Sequence, residues 1–288
     1  MSETAVSDFS ITSLSPAVGA KIDGVDWRTS VDESIRKDVL DAFHKYCVLC
    51  FPDQDISDDD QRRFANVFGK ADEKVRRPSH TSAMAPQSSL MLITNIRENG
   101  QPIGNLPDGE MHFHADGAHR NVPYRATTLY AIKVPSRGGE TLFANLQKAY
   151  DALPESMQCR LEGLKTEVGY EYDTTTRQAH AEKGYNRPPA IHPLVKTHPI
   201  SGRKSLFLGR LMTRRVIGLG PDESEVLLAE LFDHAEKPEF VYAHRWMPGD
   251  LLIWDNRAVN HARADFSKDE IRLLRRCAVD EPQMTLAG

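Results

Sequence analysis

The sequence lacks the features that mark membrane, secreted and nucleic-acid-binding proteins. No apolar run approaches the ~20 residues that a bilayer-spanning helix needs. Residues 1–10 do not combine a basic stretch with an apolar core, as a secretory signal does, so we expect a cytoplasmic protein. The formal net charge of −5 is small for 288 residues and gives no reason to expect binding to nucleic acid or to a membrane.

Cysteine is scarce, with four residues in the chain: Cys47, Cys50, Cys159 and Cys277. In a chain of this length such a set is weak evidence for disulfides, and we expect reduced thiols. Cys47 and Cys50 form a C-x-x-C pattern inside an apolar run typical of a buried strand, where residues three apart face opposite sides. We therefore interpret them as two core thiols and not as a metal site.

Internal repeats, low-complexity tracts and a clear linker are also absent from the sequence. With 40% hydrophobic and 27% charged residues, the composition is that of an ordinary globular protein. We expect one domain over residues 1–288, with a variable active-site region near residues 70–110 and an insert near residues 146–191. A long loop at residues 98–109 is a candidate lid.

Apolar spacing and capping residues predict three long helices, which begin after Asp32, at Ser57 and at Pro221, and two shorter ones within residues 146–164. Residues 171–191 look polar and irregular. The predicted strands span residues 47–51, 90–94, 127–134, 141–144, 194–197, 205–208, 240–246, 251–254 and 273–279. Many strands with few helices predict an α+β fold with a mainly β core, as a jelly roll or a barrel.

The densest group of metal-binding side chains lies in residues 111–120, which hold His112, His114 and Asp116 as well as His119. On a strand, residues two apart point to the same face, so we expect His112, His114 and Asp116 to project together. One imidazole and one carboxylate supply two thirds of the 2-His-1-carboxylate triad of non-haem Fe(II). The second histidine must come from elsewhere in the chain.

His261 is the best candidate for the missing ligand, because it follows a predicted turn, strand and polar exit over residues 249–257. Beyond it, Arg272 and Arg276 share one face of a predicted strand and Arg275 lies on the other. Two arginines on the metal side would suit a dicarboxylate, since a guanidinium pairs bidentately with a carboxylate. On the residues alone, solvated surface histidines and arginines are an equally good interpretation.

Several stretches, taken in order, carry a family resemblance. They are Phe113-His114-Ala115-Asp116, the run from Val134 to Ala144 that contains Thr141, the run from Ala149 to Pro154, the run from Gly249 to Arg257 with His261 beyond it, and Arg272 with Arg276. The chain thereby resembles the Fe(II)/2-oxoglutarate-dependent dioxygenases of the taurine dioxygenase and 2,4-dichlorophenoxyacetate dioxygenase type. Thr141 lies 27 residues after His114, and Arg276 lies 15 after His261, spacings that also match. The resemblance extends to about residue 282 and is weakest over residues 70–110.

The resemblance implies a double-stranded β-helix, or jelly roll, flanked by helices. It implies three Fe(II) ligands: His114, Asp116 and His261. It assigns the distal carboxylate of 2-oxoglutarate to Thr141 and Arg276, and places Arg272 near the C1 carboxylate. The implied reaction uses O2, releases succinate and CO2, and hydroxylates a small anionic organic substrate such as an aryloxyalkanoate, a sulfonate or another carboxylate. A homodimer or homotetramer is also implied.

The substrate contacts are the least defined part of the expected site. Four residues are candidates: Arg77, His80, His112 and His119. Arg77 and His80 fall in the variable region, where they are candidates to bind an anionic substrate, although a solvated polar loop is the preferred interpretation. Three other arginines, Arg245, Arg263 and Arg275, are interpreted as surface charges, and His244 as a structural residue.

Two other classes of protein compete with the dioxygenase hypothesis. His112-Phe-His114-Ala-Asp116 is also H-x-H-x-D, the opening motif of binuclear metal hydrolases, in which a bridging hydroxide attacks an ester or amide. That motif continues with a histidine, whereas this chain has Gly117. A binding module without catalysis is the third hypothesis, and the complete ligand set with its arginines argues against it.

Overall fold

The computed structural model describes residues 9–73, 90–106, 109–170, 174–183 and 188–281. The strands are β1 (Ser10–Ser13), β2 (Ala20–Asp23), β3 (Val48–Phe51), β4 (Met91–Thr94), β5 (Arg97–Glu98), β6 (Gln101–Pro102), β7 (Met111–His114), β8 (Tyr124–Lys133), β9 (Thr141–Asn145), β10 (Lys165–Val168), β11 (Ala190–Pro193), β12 (Val195–Thr197), β13 (Lys204–Leu206), β14 (Thr213–Val216), β15 (Val241–His244), β16 (Leu251–Asp255), β17 (Val259–Arg263) and β18 (Leu273–Asp280). The helices are α1 (Glu33–Tyr46), α2 (Asp58–Phe68), α3 (Leu146–Asp151), α4 (Glu155–Leu161), α5 (Arg177–Lys183) and α6 (Pro221–Ala235), with a 3-10 turn at Pro238–Phe240.

The predicted starts of the three long helices are confirmed. The Ser57 hydroxyl accepts a hydrogen bond from the backbone N–H of Asp60, whose carboxylate accepts one from the N–H of Ser57, which is a capping box. Helix α1 ends at Tyr46, and the next residue, Cys47, has a left-handed φ of 63°, so the following strand begins at Val48 and not at Cys47 as predicted. No described helix is long and apolar enough to cross a bilayer.

The larger sheet has seven strands in the order β1-β2-β3-β16-β8-β18-β4, and its central strands β3 and β16 are buried on both faces. Along β3 and β16, alternate residues belong to two different cores. Phe51 and Ile253 pack with the apolar faces of α1 and α2, while Cys50 and Trp254 pack on the opposite face. This double burial explains why these strands are continuous apolar runs in the sequence.

A second sheet, of four strands in the order β15-β9-β17-β7, faces the larger one. Leu129, Trp254 and Leu274 of the larger sheet share one core with Phe143 and Val259 of the smaller sheet. Two opposed, mainly antiparallel sheets with helices outside confirm the predicted α+β jelly roll. Within the described residues the strands do not close into a barrel.

The chain between β9 and β15 forms a layer of helices and two small sheets, β11-β10-β14 and β12-β13, with its own core. That core consists mainly of leucines, from Leu146 and Leu161 to Leu228 and Leu231. The strands predicted at residues 194–197 and 205–208 pair with each other as β12 and β13. The prediction of irregular structure over residues 171–191 is wrong in part, because α5 lies within it and β11 begins there. Helix α5 is almost entirely polar, so no apolar period marks it in the sequence.

Candidate active site

Three potential metal ligands converge between the two sheets. His114 at the end of β7 lies directly opposite His261 on β17, and their ring centroids are 4.2 Å apart. Asp116 follows two residues after His114, and its Oδ2 lies 3.9 Å from Nε2 of His261. One donor atom from each of the three side chains lies within 4.8 Å of the other two. His261 follows the core strand β16, as predicted, and it lies on the next strand, β17.

The protonation states of the three side chains suit a metal ion. Nδ1 of His114 donates to the carbonyl oxygen of His112 at 2.9 Å, which leaves Nε2 with a free lone pair. Burial lowers the pKa of His114, and burial together with His114 lowers the pKa of His261 to about 3, so both rings are neutral. Burial alone would raise the pKa of Asp116, but Arg276 and the two imidazoles outweigh it and hold the pKa below its usual range. Two neutral imidazoles and one carboxylate are the donor set of mononuclear non-haem iron.

The carboxylate of Asp116 is oriented by the larger sheet. Thr127 on β8 donates to its Oδ2 at 2.7 Å, and Nη2 of Arg276 on β18 lies 3.0 Å from the same oxygen. Asn256 extends this hydrogen-bond network. Its Nδ2 donates to the Thr127 hydroxyl at 3.1 Å, and its Oδ1 accepts from the indole N–H of Trp254 at 3.0 Å. These bonds fix which way the carboxylate faces before any metal binds.

A β-bulge decides which side chains of β7 face the site. Met111 pairs with Arg263 and His114 pairs with His261, so a step of three residues along β7 matches a step of two residues along β17. Met111 and His114 therefore both line the cavity beside the three donors. The prediction that His112 shares their face is wrong: its Nδ1 accepts from the backbone N–H of Arg177 at 3.1 Å. Its contacts lend no support to the predicted role at the substrate.

The cavity beside the donors has a volume of about 170 Å³. Of the predicted site residues, His119, Thr141, Arg272 and Arg276 line it together with the three donors. Apolar side chains supply much of the remaining wall: Met91, Ile93, Leu106, Met111, Tyr170 and Met212. The predicted substrate residues Arg77 and His80 lie outside the described residues. The proposed lid region contributes Asn105 and Leu106 to the wall.

Buried arginines give the cavity a strong positive charge. Arg272 is only 2% exposed, and its Nε donates to the carbonyl oxygen of Gly139 at 3.3 Å. Burial, reinforced by the neighbouring Arg263, lowers the pKa of Arg272 to about 9. Within the described residues no carboxylate pairs with Arg272. The guanidinium of Arg263 donates to the carbonyl of Gly109. A cavity of this kind is suited to a dicarboxylate, which would supply the missing negative charge.

Two of the three arginines interpreted as surface charges are in fact buried. Arg263 is 7% exposed and lines the cavity, and sequence reasoning missed it. The sequence spacing indicated this position, because Arg263 lies two residues after His261 and residues two apart on a strand point to the same face. Arg275 is 8% exposed and is bonded by Gln61, Asp58 and two carbonyl groups. Arg245 is exposed, as expected.

Cys50, His244 and Asp250 form a second buried group of potential donors within 4.8 Å of one another. Nε2 of His244 donates to Oδ2 of Asp250 at 3.0 Å, and the Tyr242 hydroxyl donates to Nδ1 at 3.0 Å, so both ring nitrogens are used. Burial raises the pKa of the Cys50 thiol, which therefore stays protonated and is a poor ligand. This group is a hydrogen-bonded structural network, as predicted for His244. Cys47 and Cys50 are both buried and free, as predicted.

Gly117 excludes the additional histidine of the hydrolase motif. Its φ is +70°, in the left-handed region, and a Cβ at this position would lie 2.6 Å from Cδ2 of Tyr124 and 3.0 Å from the backbone nitrogen of Tyr124. Any larger side chain would have to displace the backbone that carries Tyr124. The binuclear hydrolase hypothesis is not supported.

A jelly roll with two histidines and a carboxylate facing a cationic cavity is the arrangement of Fe(II)- and 2-oxoglutarate-dependent dioxygenases. The profile of the family described as "Taurine catabolism dioxygenase TauD, TfdA family" matches residues 10–278, so the chain belongs to this family. Its members use Fe(II), 2-oxoglutarate and O2, and the chain is an enzyme of this class.

Comparison with individual proteins agrees with this membership. The chain is 34% identical over 275 residues to the (S)-phenoxypropionate/alpha-ketoglutarate-dioxygenase of Sphingobium herbicidovorans, covering 92% of this chain and 93% of the relative. It is 34% identical over 277 residues to the alpha-ketoglutarate-dependent 2,4-dichlorophenoxyacetate dioxygenase of Cupriavidus pinatubonensis, covering 91% and 94%. The crystal structure of AAD-2 with Mn(II) and N-oxalylglycine is similar with a TM-score of 0.76 at 29% identity, over 94% of this chain and 97% of that one.

Proposed function

We propose that this dioxygenase binds Fe(II) through His114, Asp116 and His261 and hydroxylates a small organic carboxylate with an apolar, aromatic body. The observation that carries the proposal is the convergence of the three donors, within 4.8 Å of one another, at the wall of a cavity lined by buried arginines. The donors are two neutral imidazoles and one ionised carboxylate. They fit Fe(II) better than a metal that prefers thiolate or all-oxygen coordination.

Iron, when bound with 2-oxoglutarate and O2, supplies the oxidising chemistry that inserts a hydroxyl group into a C–H bond and releases succinate and CO2. The protein supplies orientation. The bond from His114 to the carbonyl of His112 keeps the ligating nitrogen unprotonated, and Thr127 and Arg276 hold the Asp116 carboxylate in place. Deep burial of the site excludes bulk water from the reacting groups.

For 2-oxoglutarate we propose a division of roles that differs from the one implied by sequence. The Arg276 guanidinium lies on Asp116, at the metal end of the cavity. Arg272 bonds to Gly139, two residues before Thr141 and away from the carboxylate ligand. These contacts favour Arg272 with Thr141 at the distal carboxylate and Arg276 beside the C1 carboxylate. Arg272 pairs with no carboxylate among the described residues, as expected of an anion anchor.

The substrate class is inferred from the rest of the cavity wall and from the relatives. Methionine, leucine and tyrosine side chains offer a flexible apolar surface to a ring. Arg120 and Arg263 line the same cavity and supply positive charge. Two relatives are named for phenoxypropionate and 2,4-dichlorophenoxyacetate, which combine an aromatic ring with a carboxylate. We therefore propose an aryloxyalkanoate-like substrate.

The iron site is tested by anaerobic titration of Fe(II) and 2-oxoglutarate into the metal-free protein. The expected result is the weak visible charge-transfer band of the chelate with the native protein and its loss in His261→Ala. His112→Ala is the matched control, since His112 is on the same strand as His114 but outside the cavity. An unchanged band in His261→Ala would refute the ligand assignment.

The substrate class is tested by coupled turnover of paired compounds. Phenoxyacetate and the two enantiomers of phenoxypropionate are compared with phenoxyethanol, which keeps the ring and ether but has no negative charge. An alkyl sulfate is included as an anion without a ring, and taurine as a sulfonate that also carries an ammonium group. Turnover of an aryloxy acid with no turnover of phenoxyethanol is expected. Preference for a neutral compound would overturn the proposal of an anionic substrate.

Three further proposals concern the protein as a whole. We propose that residues 1–288 form one domain, that the protein is cytoplasmic and that it assembles as a homodimer or homotetramer. The buried free thiols fit a reducing compartment. Light scattering after size-exclusion chromatography measures the assembly directly, and a monomeric mass would refute the last of the three.

A further inference from the structure

The hydroxyl of Thr141 is engaged by a residue from outside the cavity lining. Thr141 begins β9, is 2% exposed and lines the cavity. The indole Nε1 of Trp246 donates to its Oγ1 at 3.0 Å. Trp246 is 5% exposed and is not itself part of the cavity wall. A buried tryptophan therefore contacts Thr141, the proposed co-substrate anchor, without lining the cavity itself.

The direction of this hydrogen bond determines what the hydroxyl can do next. An indole N–H can only donate, so Thr141 Oγ1 must act as acceptor towards Trp246. A hydroxyl carries a single proton, and no described group accepts that of Thr141. The proton is thus available for an acceptor inside the cavity. A carboxylate oxygen is the strongest acceptor that this chemistry offers.

Trp246 is held in place by the buried network around His244. Its ring packs edge-on against the His244 ring, with centroids 4.8 Å apart and an interplanar angle of 86°. His244 is bonded at both nitrogens, by Tyr242 and Asp250, and Asp250 also accepts the backbone N–H of Met247 at 2.8 Å. The residue after Trp246 is thereby tied to the same carboxylate. The indole N–H is fixed in position rather than free to follow the hydroxyl.

We propose that Trp246 is a positioning residue for 2-oxoglutarate, because its indole N–H orients the Thr141 hydroxyl as a donor to the distal carboxylate of the co-substrate. This inference rests on the proposed role of Thr141. It assigns to the His244–Asp250 network a purpose in the reaction, as the rigid support behind the anchor. Trp246 contacts neither substrate nor metal in this scheme.

The test measures co-substrate binding to the metal-loaded protein under anaerobic conditions, by calorimetry. Trp246→Phe removes the N–H and keeps a ring. Because one neutral hydrogen bond is lost, we expect 2-oxoglutarate to bind about three- to tenfold more weakly. The matched ligand is 2-oxopentanoate, which has the same chelating end but a methyl group in place of the distal carboxylate. Its affinity is expected to be unchanged, whereas general damage to the site would weaken both ligands and overturn the inference.

A double-mutant cycle separates this inference from the proposal beneath it. Thr141→Val removes the hydroxyl at nearly constant shape, and Thr141→Ser keeps it. If Trp246 acts through the hydroxyl, Trp246→Phe weakens binding in the native and Thr141→Ser proteins but not in Thr141→Val. Unchanged affinity in Thr141→Val alone would refute Thr141 as an anchor, and both ideas would fall. A loss in Thr141→Val with none in Trp246→Phe would refute only the role of Trp246.

Discussion

Replacing Arg272 with methionine should raise the stability of the protein free of 2-oxoglutarate while lowering its affinity for 2-oxoglutarate. Arg272 is 2% exposed, and its one described side-chain bond is to the carbonyl of Gly139. No described carboxylate balances its charge. Methionine has a similar length and no charge, so the variant removes the cost of a buried guanidinium and the attraction for a dicarboxylate together.

The size of the effect follows from the pKa of Arg272. Burial and the nearby Arg263 lower it from 12.5 to about 9. At ~1.4 kcal/mol for each pKa unit, the folded state carries a cost of about 5 kcal/mol, an upper bound because structure relaxes around a charge. The folded pKa lies below the unfolded one, so the cost is complete below about pH 9 and constant from pH 6 to 8. After loss of the bond to Gly139, we expect a net gain of about 2 kcal/mol, or roughly 4–8 °C in Tm.

Affinity should change in the opposite direction. Loss of a buried charged partner costs about 3 kcal/mol in binding, or on the order of a hundredfold in Kd for 2-oxoglutarate. Thermal unfolding without ligand and anaerobic calorimetry with it measure the two effects. Arg275→Met is the matched control, since Arg275 is equally buried but fully partnered by Gln61, Asp58 and two carbonyls. It should lose about 1–3 kcal/mol of stability, because the side-chain oxygen of Gln61 and two carbonyl groups would be left without their donor. If Arg272→Met is destabilised as Arg275→Met is, the reasoning about an uncompensated charge is refuted.

Three further predictions concern the scaffold. Gly117→Ala should lower the free energy of unfolding by at least about 2 kcal/mol and weaken iron binding, because the added Cβ would lie 2.6 Å from Cδ2 of Tyr124. A wild-type unfolding free energy in calorimetry and a wild-type iron titration would contradict this prediction. Ser57→Ala should lower the free energy of unfolding by about 1 kcal/mol, seen by denaturant titration, through loss of the cap on α2. Burial would raise the pKa of Asp255, but hydrogen bonds from Arg257 and His198 outweigh burial and lower the pKa. The ionised Asp255 therefore stabilises the folded state fully above about pH 4, and this stabilisation is lost as the pH falls further. The stability difference between wild type and Asp255→Asn should therefore be constant from pH 7 to 5 and shrink in more acidic buffer.

The parts of the fold that could be predicted are those in which local signals and burial agree. Ser57 with Asp60 is a complete capping box in four residues, and it places the start of α2 correctly. The apolar run of β16 is buried on both faces, so its sequence marks a core strand without ambiguity. His114, Asp116 and His261 could be selected as a group because their order and spacing match a family, and they do converge. Neither propensity nor periodicity alone would have paired residues so far apart in the chain.

The parts that were missed depend on contacts that leave no local trace. The bulge between β7 and β17 turns Met111 towards the cavity and takes His112 away from it, and simple alternation cannot anticipate an extra residue. Burial of Arg263 and Arg275 depends on groups distant in sequence, such as Gly109 for the first and Gln61 for the second. An arginine in a sequence is most often exposed, and only tertiary partners reverse that expectation.

The location of the Asp116 partners explains why the motif needs the whole fold. His114 and His261 are neighbours in the smaller sheet, so their pairing is fixed by strand register alone. Asp116 follows the same strand, but the groups that orient its carboxylate, Thr127 and Arg276, belong to the larger sheet. The third ligand is therefore held across the gap between the sheets, and its position depends on the core that packs them together. A change in that core far from the metal would move the carboxylate relative to the two imidazoles, and loss of iron affinity is the signature by which such a change would be recognised.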